Sequence, residues 1–185
     1  MGQVVYASYE FTDGSYENEA MYCMVWSPEG ASVGADLGCG WRKAAPWLQG
    51  VDHHDGDWVE DGIKTHPSTP DVVADVRELP FADGSQDIVV STHCLEHFSD
   101  PSPILQEWCR VLRVGGRMAI VVPDWRYTFS CTDAVQVAST EGHKMDYTLD
   151  VLVRVVMQAL PNMELLDARV VNHHWSVGAA LEKLR

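Results

Sequence analysis

Two compact β-branched runs, DIVVS (87–91) and GRMAIVVP (116–123), bracket a stretch whose apolar residues recur at helical spacing. That strand–helix–strand order constrains the fold more than anything else in the chain. Parallel strands need a crossover long enough to return the chain to the same edge, and a helix supplies it. The intervening segment, SPILQEWCRVLRVGG (102–116), places Ile104, Leu105, Trp108, Val111 and Leu112 on one face. Asp100 or Ser102 is its expected cap, Pro101 or Pro103 suits its first turn, and Gly115-Gly116 is its expected stop. Upstream, SVGADL (32–37), WLQGVD (47–52) and DVVADV (71–76) read as three more short strands. Downstream, TLDVLVRVVMQALPN (148–162) reads as a helix capped by Thr148, and MELLDARVVNHH (163–174) as a strand. WSVGAALEKL (175–184) fits neither period cleanly, and residues 1–30 suggest an extra strand or a helix near the mouth of a site. Strands alternating with helices predict an α/β, Rossmann-like, mainly parallel sheet with helices on both faces.

Charge removes several function classes. Thirteen basic residues against 27 acidic ones give a net charge of -14, which repels phosphate backbones, so no nucleic-acid partner is expected. Arg110, Arg113 and Arg117 form a loose basic group, read as cations at a helix C-terminus. No apolar run approaches the roughly 20 residues of a membrane span. The first residues lack the basic and apolar regions of a signal peptide, and Tyr6 argues against myristoylation at Gly2. A cytoplasmic location is the default. Cys23, Cys39, Cys94, Cys109 and Cys131 are scattered without C-x-x-C, as for reduced thiols. The 185 residues suit a single domain.

In an open parallel sheet, ligands bind beyond the C-terminal strand ends, where strand order reverses. Unusual residues stand at those ends: Asp36, Gly38 and Gly40 in ADLGCG, Asp52 in GVDHHDG, and Asp75 in ADVRELPFADGSQD. Two glycines let the backbone turn sharply and approach a ligand closely. The fourth strand runs into STHCLEHFSD, which spells the H-x-x-E-H of an inverted zinc-peptidase helix through His93, Glu96 and His97. The metal reading fails on three counts. Asp100-Pro101 closes the segment within about a turn of His97, a strand directly precedes it, and no third ligand is evident. His53-His54 and His173-His174 are adjacent pairs that point to opposite faces, so no metal is expected there either.

The ordered series DLGCG, GVD, DVRELPFADGSQDIVVSTHCLEHFSDP and EWCRVLRVGGRMAIVVP resembles class I S-adenosylmethionine-dependent methyltransferases, over about half of the chain. The resemblance implies a cofactor-binding core at 33–123 behind the 1–30 extension. A possible substrate lid follows at 123–146, then a C-terminal helix and strands at 147–185. It places Asp36, Leu37, Gly38 and Gly40 around the amino-acid end of S-adenosyl-L-methionine. Asp52 then meets the ribose hydroxyls, and Asp75 with the backbone of Val76 meets adenine. Ser91, Thr92 and His93 border the sulfonium.

The chain departs from the family pattern where Arg42 replaces a third glycine. Residues 41–48 with Pro46 leave room for only a turn or two of first crossover helix, and Trp41 and Arg42 stand near the cofactor carboxylate. His53 occupies the usual apolar position after Asp52, so His53 or Trp58 is the candidate to stack on adenine. His93 is the first candidate base, followed by His97, Asp124 and His143, while Trp125 and Tyr127 lie where a substrate wall would form. The implied function is methyl transfer to an unidentified small-molecule acceptor. The alternative is a catalytically silent cofactor-binding domain acting as a partner or regulatory subunit. A dinucleotide oxidoreductase is disfavoured because DLGCGW lacks G-x-G-x-x-G. Nothing in the residues indicates oligomeric state or the acceptor atom.

Overall fold

A computed structural model describes residues 15–56, 59–60, 63–64, 67–128, 142–172 and 175–185. The alternation of strand and helix patterns produces helix α1 (Ser15–Val25), then strands β1 (Gly34–Leu37) and β2 (Gln49–Asp52). A two-residue-per-strand hairpin follows, β3 (Val59–Glu60) with β4 (Ile63–Lys64), and then β5 (Val72–Val73) and β6 (Gln86–Thr92). The second half comprises α2 (Ser102–Val111), β7 (Leu112–Pro123), α3 (Trp125–Thr128), α4 (Leu149–Ala159), β8 (Met163–Val171) and β9 (Ser176–Lys183). Seven strands form one sheet in the order β5-β2-β1-β6-β7-β9-β8. Only β9 runs against its neighbours, so the sheet is mainly parallel as predicted.

Side chains along β6 and β7 alternate between two cores, as a pleated strand requires. Val89, Met118, Ile120 and Val122 pack with Ile104, Leu105 and Trp108 of α2 and with Leu152 and Val156 of α4. Ile88, Val90, Ala119 and Val121 pack on the other face with Tyr22 and Cys23 of α1 and with Ala45 and Leu48. Helices therefore cover both faces, although α1 and the 44–48 loop carry one face between them. Among the described residues no helix is long and apolar enough to cross a membrane.

The predicted elements hold, with three differences in extent. The helix expected over 102–116 ends at Val111, and Leu112 passes directly into β7. Gly115 and Gly116 are not its stop. They form an irregularity in β7, between the Gln86–Leu112 and Ile88–Arg117 pairs. Gly115 adopts φ 72°, and a Cβ on Gly116 would meet the Arg113 carbonyl oxygen at 2.8 Å. Arg113 and Arg117 thus belong to a strand, not a helix terminus. All three arginines pair locally: Arg110 with Glu107 and Asp83, Arg113 with Asp87, and Arg117 with Glu182.

The second difference is the strand expected over 71–76, which pairs only at Val72–Val73. The third is the 175–184 stretch, which is a strand despite its helix-forming AALEK. Pairing to β7 and β8 on both edges outweighs that propensity, and Gly178 admits the Tyr22 ring, which a Cβ would approach to 2.5 Å. The crossover between β1 and β2 contains no helical turn at all, so the predicted shortening is complete.

Candidate functional site

Strand order reverses between β1 and β6, and there a cleft of about 200 Å³ opens at their C-terminal ends. It is lined by Asp36 of β1, by Gly38, Gly40, Trp41 and Arg42 from the turn after it, and by Thr92 and His93 from the end of β6. Ala20 of α1 forms part of the opposite wall.

The turn after β1 is built from backbone. Gly38 and Gly40 take φ 72° and 54°, values that cost other residues strain. Gly38 is doubly required, because an added Cβ would lie 2.6 Å from the Cys94 side chain. An added Cβ on Gly40 would meet nothing within 4 Å, which leaves its backbone open to the cleft. The Gly38 and Cys39 amides donate to the Val51 carbonyl at 2.8 and 3.2 Å. The Gly40 amide donates to Asp52 Oδ2 at 2.9 Å. Ser68 Oγ and the Thr69 amide both donate to the Gly40 carbonyl. Lys43 is tied to Asp71 at 2.6 Å, and the Gly50 amide donates to the same carboxylate.

Asp36 is buried at the floor of the cleft, where the Ala44 amide donates to its Oδ2 at 2.6 Å. Burial pushes its carboxyl up to about 6, against the pull of the Ala44 amide and Lys43. Beside it, burial, then the charges of Asp36 and Asp52, pushes the Cys39 thiol up to about 12, which disfavours its thiolate. Cys23, Cys94 and Cys109 are likewise buried and free of disulfides.

His93 closes β6 with φ 55°, a left-handed conformation uncommon outside glycine. Its amide donates to the Val121 carbonyl, and its ring Nε2 lies 2.9 Å from Glu19 Oε1 and 3.3 Å from Ser176 Oγ. Ser176 Oγ itself donates to Glu19 Oε1. The ring Nδ1 lies 3.7 Å from Glu96 Oε1. Burial alone would lower the basicity of His93, but the Glu19 bond and the charges of Glu19 and Glu96 raise it above the ordinary imidazole value.

The sequence-predicted residues divide into groups. Asp36, Gly38, Gly40, Trp41, Arg42, Thr92 and His93 share the cleft. Leu37 and Ser91 lie behind it: Leu37 is fully buried, and Ser91 Oγ donates to the Leu37 carbonyl at 2.9 Å instead of facing the cleft. Asp52 braces the Gly40 amide and holds His53 Nδ1 at 3.1 Å from its other oxygen. Asp75, two strand ends away, grips Arg77 through Nε at 2.9 Å. The Val76 carbonyl accepts the Trp108 indole N–H at 3.0 Å. Asp124 is fully buried but gives both oxygens to the Arg126 guanidinium and does not line the cleft, which weighs against a role as base.

His97 turns away from the cleft. Its Nδ1 meets the Gly142 carbonyl at 3.3 Å and its ring lies edge-on to His143, centroids 5.2 Å apart. His143 also approaches Glu96, with Nε2 3.9 Å from Oε1. Burial first, then the neighbouring His97 and His93, pushes His143 down to about 4, so it stays neutral near pH 7. Trp58, His173-His174, Cys131, residues 1–14 and most of the expected lid (129–141) lie outside the described residues. Sequence reasoning missed Glu19 and Ser176, which carry no motif and reach His93 only through the packing of α1 and β9.

Comparison with known proteins covers this same core. Residues 35–120 match the family model described as a methyltransferase domain. An uncharacterised 37.1 kDa protein of transposon TN4556 from Streptomyces fradiae is 35% identical over 101 residues, covering 52% of this chain and 29% of that protein. Methyltransferase GfsG of Streptomyces halstedii is 32% identical over 120 residues, covering 58% and 42%. The chain thus spans less than half the length of these relatives. Among solved structures, a Thermotoga maritima S-adenosylmethionine-dependent methyltransferase, described as a possible histamine N-methyltransferase, aligns with a TM-score of 0.65 at 18% identity. It covers 91% of this chain and 89% of its own. Geranyl diphosphate C-methyltransferase of Streptomyces coelicolor aligns with a TM-score of 0.62 at 14% identity, covering 89% and 78%. At these identities the structural likeness is one of fold.

Proposed function

We propose, from the premise that the core of this chain is a class I S-adenosylmethionine-dependent methyltransferase domain, that the protein transfers a methyl group to a small-molecule acceptor. The observation that carries the reading is the cleft at the strand-order reversal, where Asp36, Gly40, Arg42 and His93 converge. Its residues suit the cofactor chemically. The left-handed Gly40 leaves a backbone cradle that a side chain would fill, and Asp36 and Arg42 complement an amino group and a carboxylate. S-adenosyl-L-methionine, when bound, supplies an electrophilic methyl group.

What the chain itself contributes is alignment, exclusion of water and proton handling. Asp36 would hold the ammonium group, Asp52, which also holds the glycine turn, would meet the ribose hydroxyls, and Asp75 with the backbone of Val76 would meet adenine. His93 takes the proton that a hydroxyl or amine acceptor must lose. With Nε2–H committed to Glu19, uptake falls to Nδ1, and the Glu19 carboxylate stabilises the resulting imidazolium. The acceptors in the relatives' names differ among themselves, from ajmaline to a malonyl-[acyl-carrier protein], and none of them singles out an acceptor for this chain.

A thermal-shift series with S-adenosylmethionine, S-adenosylhomocysteine and NAD tests the reading. The first two should stabilise the fold, by about 2.7 kcal/mol at a hundredfold excess over Kd, and NAD should not. Isotope transfer from labelled cofactor into a metabolite extract then separates an enzyme from a silent binding domain. Absence of any shift with either sulfur compound sinks the proposal.

A further inference from the structure

Glu96 is a buried carboxylate that the fold leaves without a hydrogen-bond partner among the described residues. Its side chain is 1% exposed, yet neither carboxylate oxygen has a hydrogen-bond donor among the described residues. Buried carboxylates are ordinarily paired or bound to metal, because an ion taken out of water must recover its solvation. Around Glu96 stand imidazoles held just beyond hydrogen-bond reach: His143 Nε2 at 3.9 Å and His97 Nε2 at 4.0 Å from Oε1. The ligand atoms of Glu96, His97 and His143 all lie within 4.8 Å of one another.

We infer that Glu96, His97 and His143 form a binding site for a first-row divalent cation, of the zinc type. Three further observations favour this over a chance cluster. The Gly142 carbonyl can only accept, so His97 Nδ1 carries the proton, and Nε2, the lone-pair nitrogen, is the one turned towards Glu96. An N–H donated to a backbone carbonyl is the usual support of a metal-bound histidine. Next, both histidine-bearing segments are fixed to each other, since the Lys144 and Met145 amides donate to the Glu96 carbonyl at 2.8 and 3.2 Å. Finally, the His97 side chain is 39% exposed, which gives a cation an access path from solvent.

Two imidazoles and one carboxylate select zinc, cobalt or iron over magnesium or calcium. Tetrahedral coordination needs roughly 3.4 Å between ligand atoms, so modest rotation of the two rings closes the site. Three protein ligands leave a coordination position for water or another oxygen. The sequence reading set aside a metal held by His93 and His97 on three counts, one of them the want of a third ligand. The ligand set here is a different one, with His143 from far along the chain and without His93.

Glu96 Oε1 also lies 3.7 Å from His93 Nδ1, so the test of the site does not use activity. Chelator-treated protein titrated calorimetrically with Zn2+ should take up one ion per chain, and Co2+ should develop visible absorption typical of nitrogen ligation, while Mg2+ should not compete. His143→Ala and His97→Ala should each raise the Zn2+ Kd more than about 100-fold while retaining their circular-dichroism spectra. A His53→Ala/His54→Ala double variant should bind as the parent does. If His143→Ala does not fold, His97→Ala at the more exposed ring decides the matter. Unchanged Zn2+ affinity in the folded His97 variant, or no stoichiometric uptake by the parent protein, overturns the site.

Discussion

His93 and Glu19, 74 positions apart in the chain, meet at 2.9 Å through Nε2 and Oε1. The contact turns a strand-end histidine into an oriented one, because the carboxylate fixes which ring nitrogen bears the proton. It also raises the basicity of His93, which burial by itself would depress. Removing the charge should reverse that balance. In chelator-treated Glu19→Gln, the His93 ring followed by NMR should titrate at lower pH than in the parent, and the acid limb of kcat/KM should move the same way. An unmoved titration would mean that Glu19 only packs against the ring.

Asp36 should make stability and cofactor affinity oppose each other across one pH window. Its carboxyl is pushed up from 3.8 to about 6 by burial, so the fold favours the protonated form. The stability it contributes is therefore full below about pH 4 and is lost as pH rises through about 6, by about 3 kcal/mol. Asp36→Asn should flatten the slope of urea-unfolding free energy over that range. Affinity for S-adenosylhomocysteine should instead increase from pH 5 to pH 7 in the parent and stay low in the variant. A parallel slope in both proteins would remove Asp36 from either role.

The two glycines of the first turn should separate fold from binding. Gly38→Ala combines a left-handed backbone with a Cβ 2.6 Å from Cys94. It should cost about 3 kcal/mol or more in stability, read as a fall in melting temperature. Gly40→Ala carries only the backbone strain, about 1–2 kcal/mol, but its methyl group protrudes into open space at the cleft. Calorimetry should find cofactor affinity reduced more by Gly40→Ala than its stability loss explains.

Trp108 is the packing counterpart of Asp75. Fully buried, it donates its indole N–H to the Val76 carbonyl and holds the turn after β5 against α2. Trp108→Phe keeps an aromatic ring but leaves that carbonyl without its donor and a small void beside it. A loss of about 2–3 kcal/mol is expected in denaturant unfolding. A loss below about 0.5 kcal/mol would indicate that water replaces the bond.

Much of the cleft was legible in the residues because turn chemistry is local. Gly38 and Gly40 announce left-handed backbone by being glycine, and Asp36 stands beside them in the same strand end. The β-branched runs at 87–91 and 116–123 carry their own strand preference, so the parallel core followed from spacing. Local pattern failed where a pairing partner decided the outcome. The 112–116 stretch reads as helix continuation, yet pairing of Leu112 and Arg117 with Gln86 and Ile88 of β6 draws it into a bulged strand. Likewise Ala179 and Ala180 sit in β9 only because β7 and β8 flank them.

By itself, then, the amino-acid order determined which strand ends carry acid, glycine and imidazole, since those choices depend on neighbours a few residues away. Tertiary structure alone decided what those groups face. Helix α1 brings Glu19 under His93, and the return of the chain after the 129–141 segment sets His143 beside Glu96. Both depend on burial against residues far along the chain, and no periodicity in one segment records the position of another.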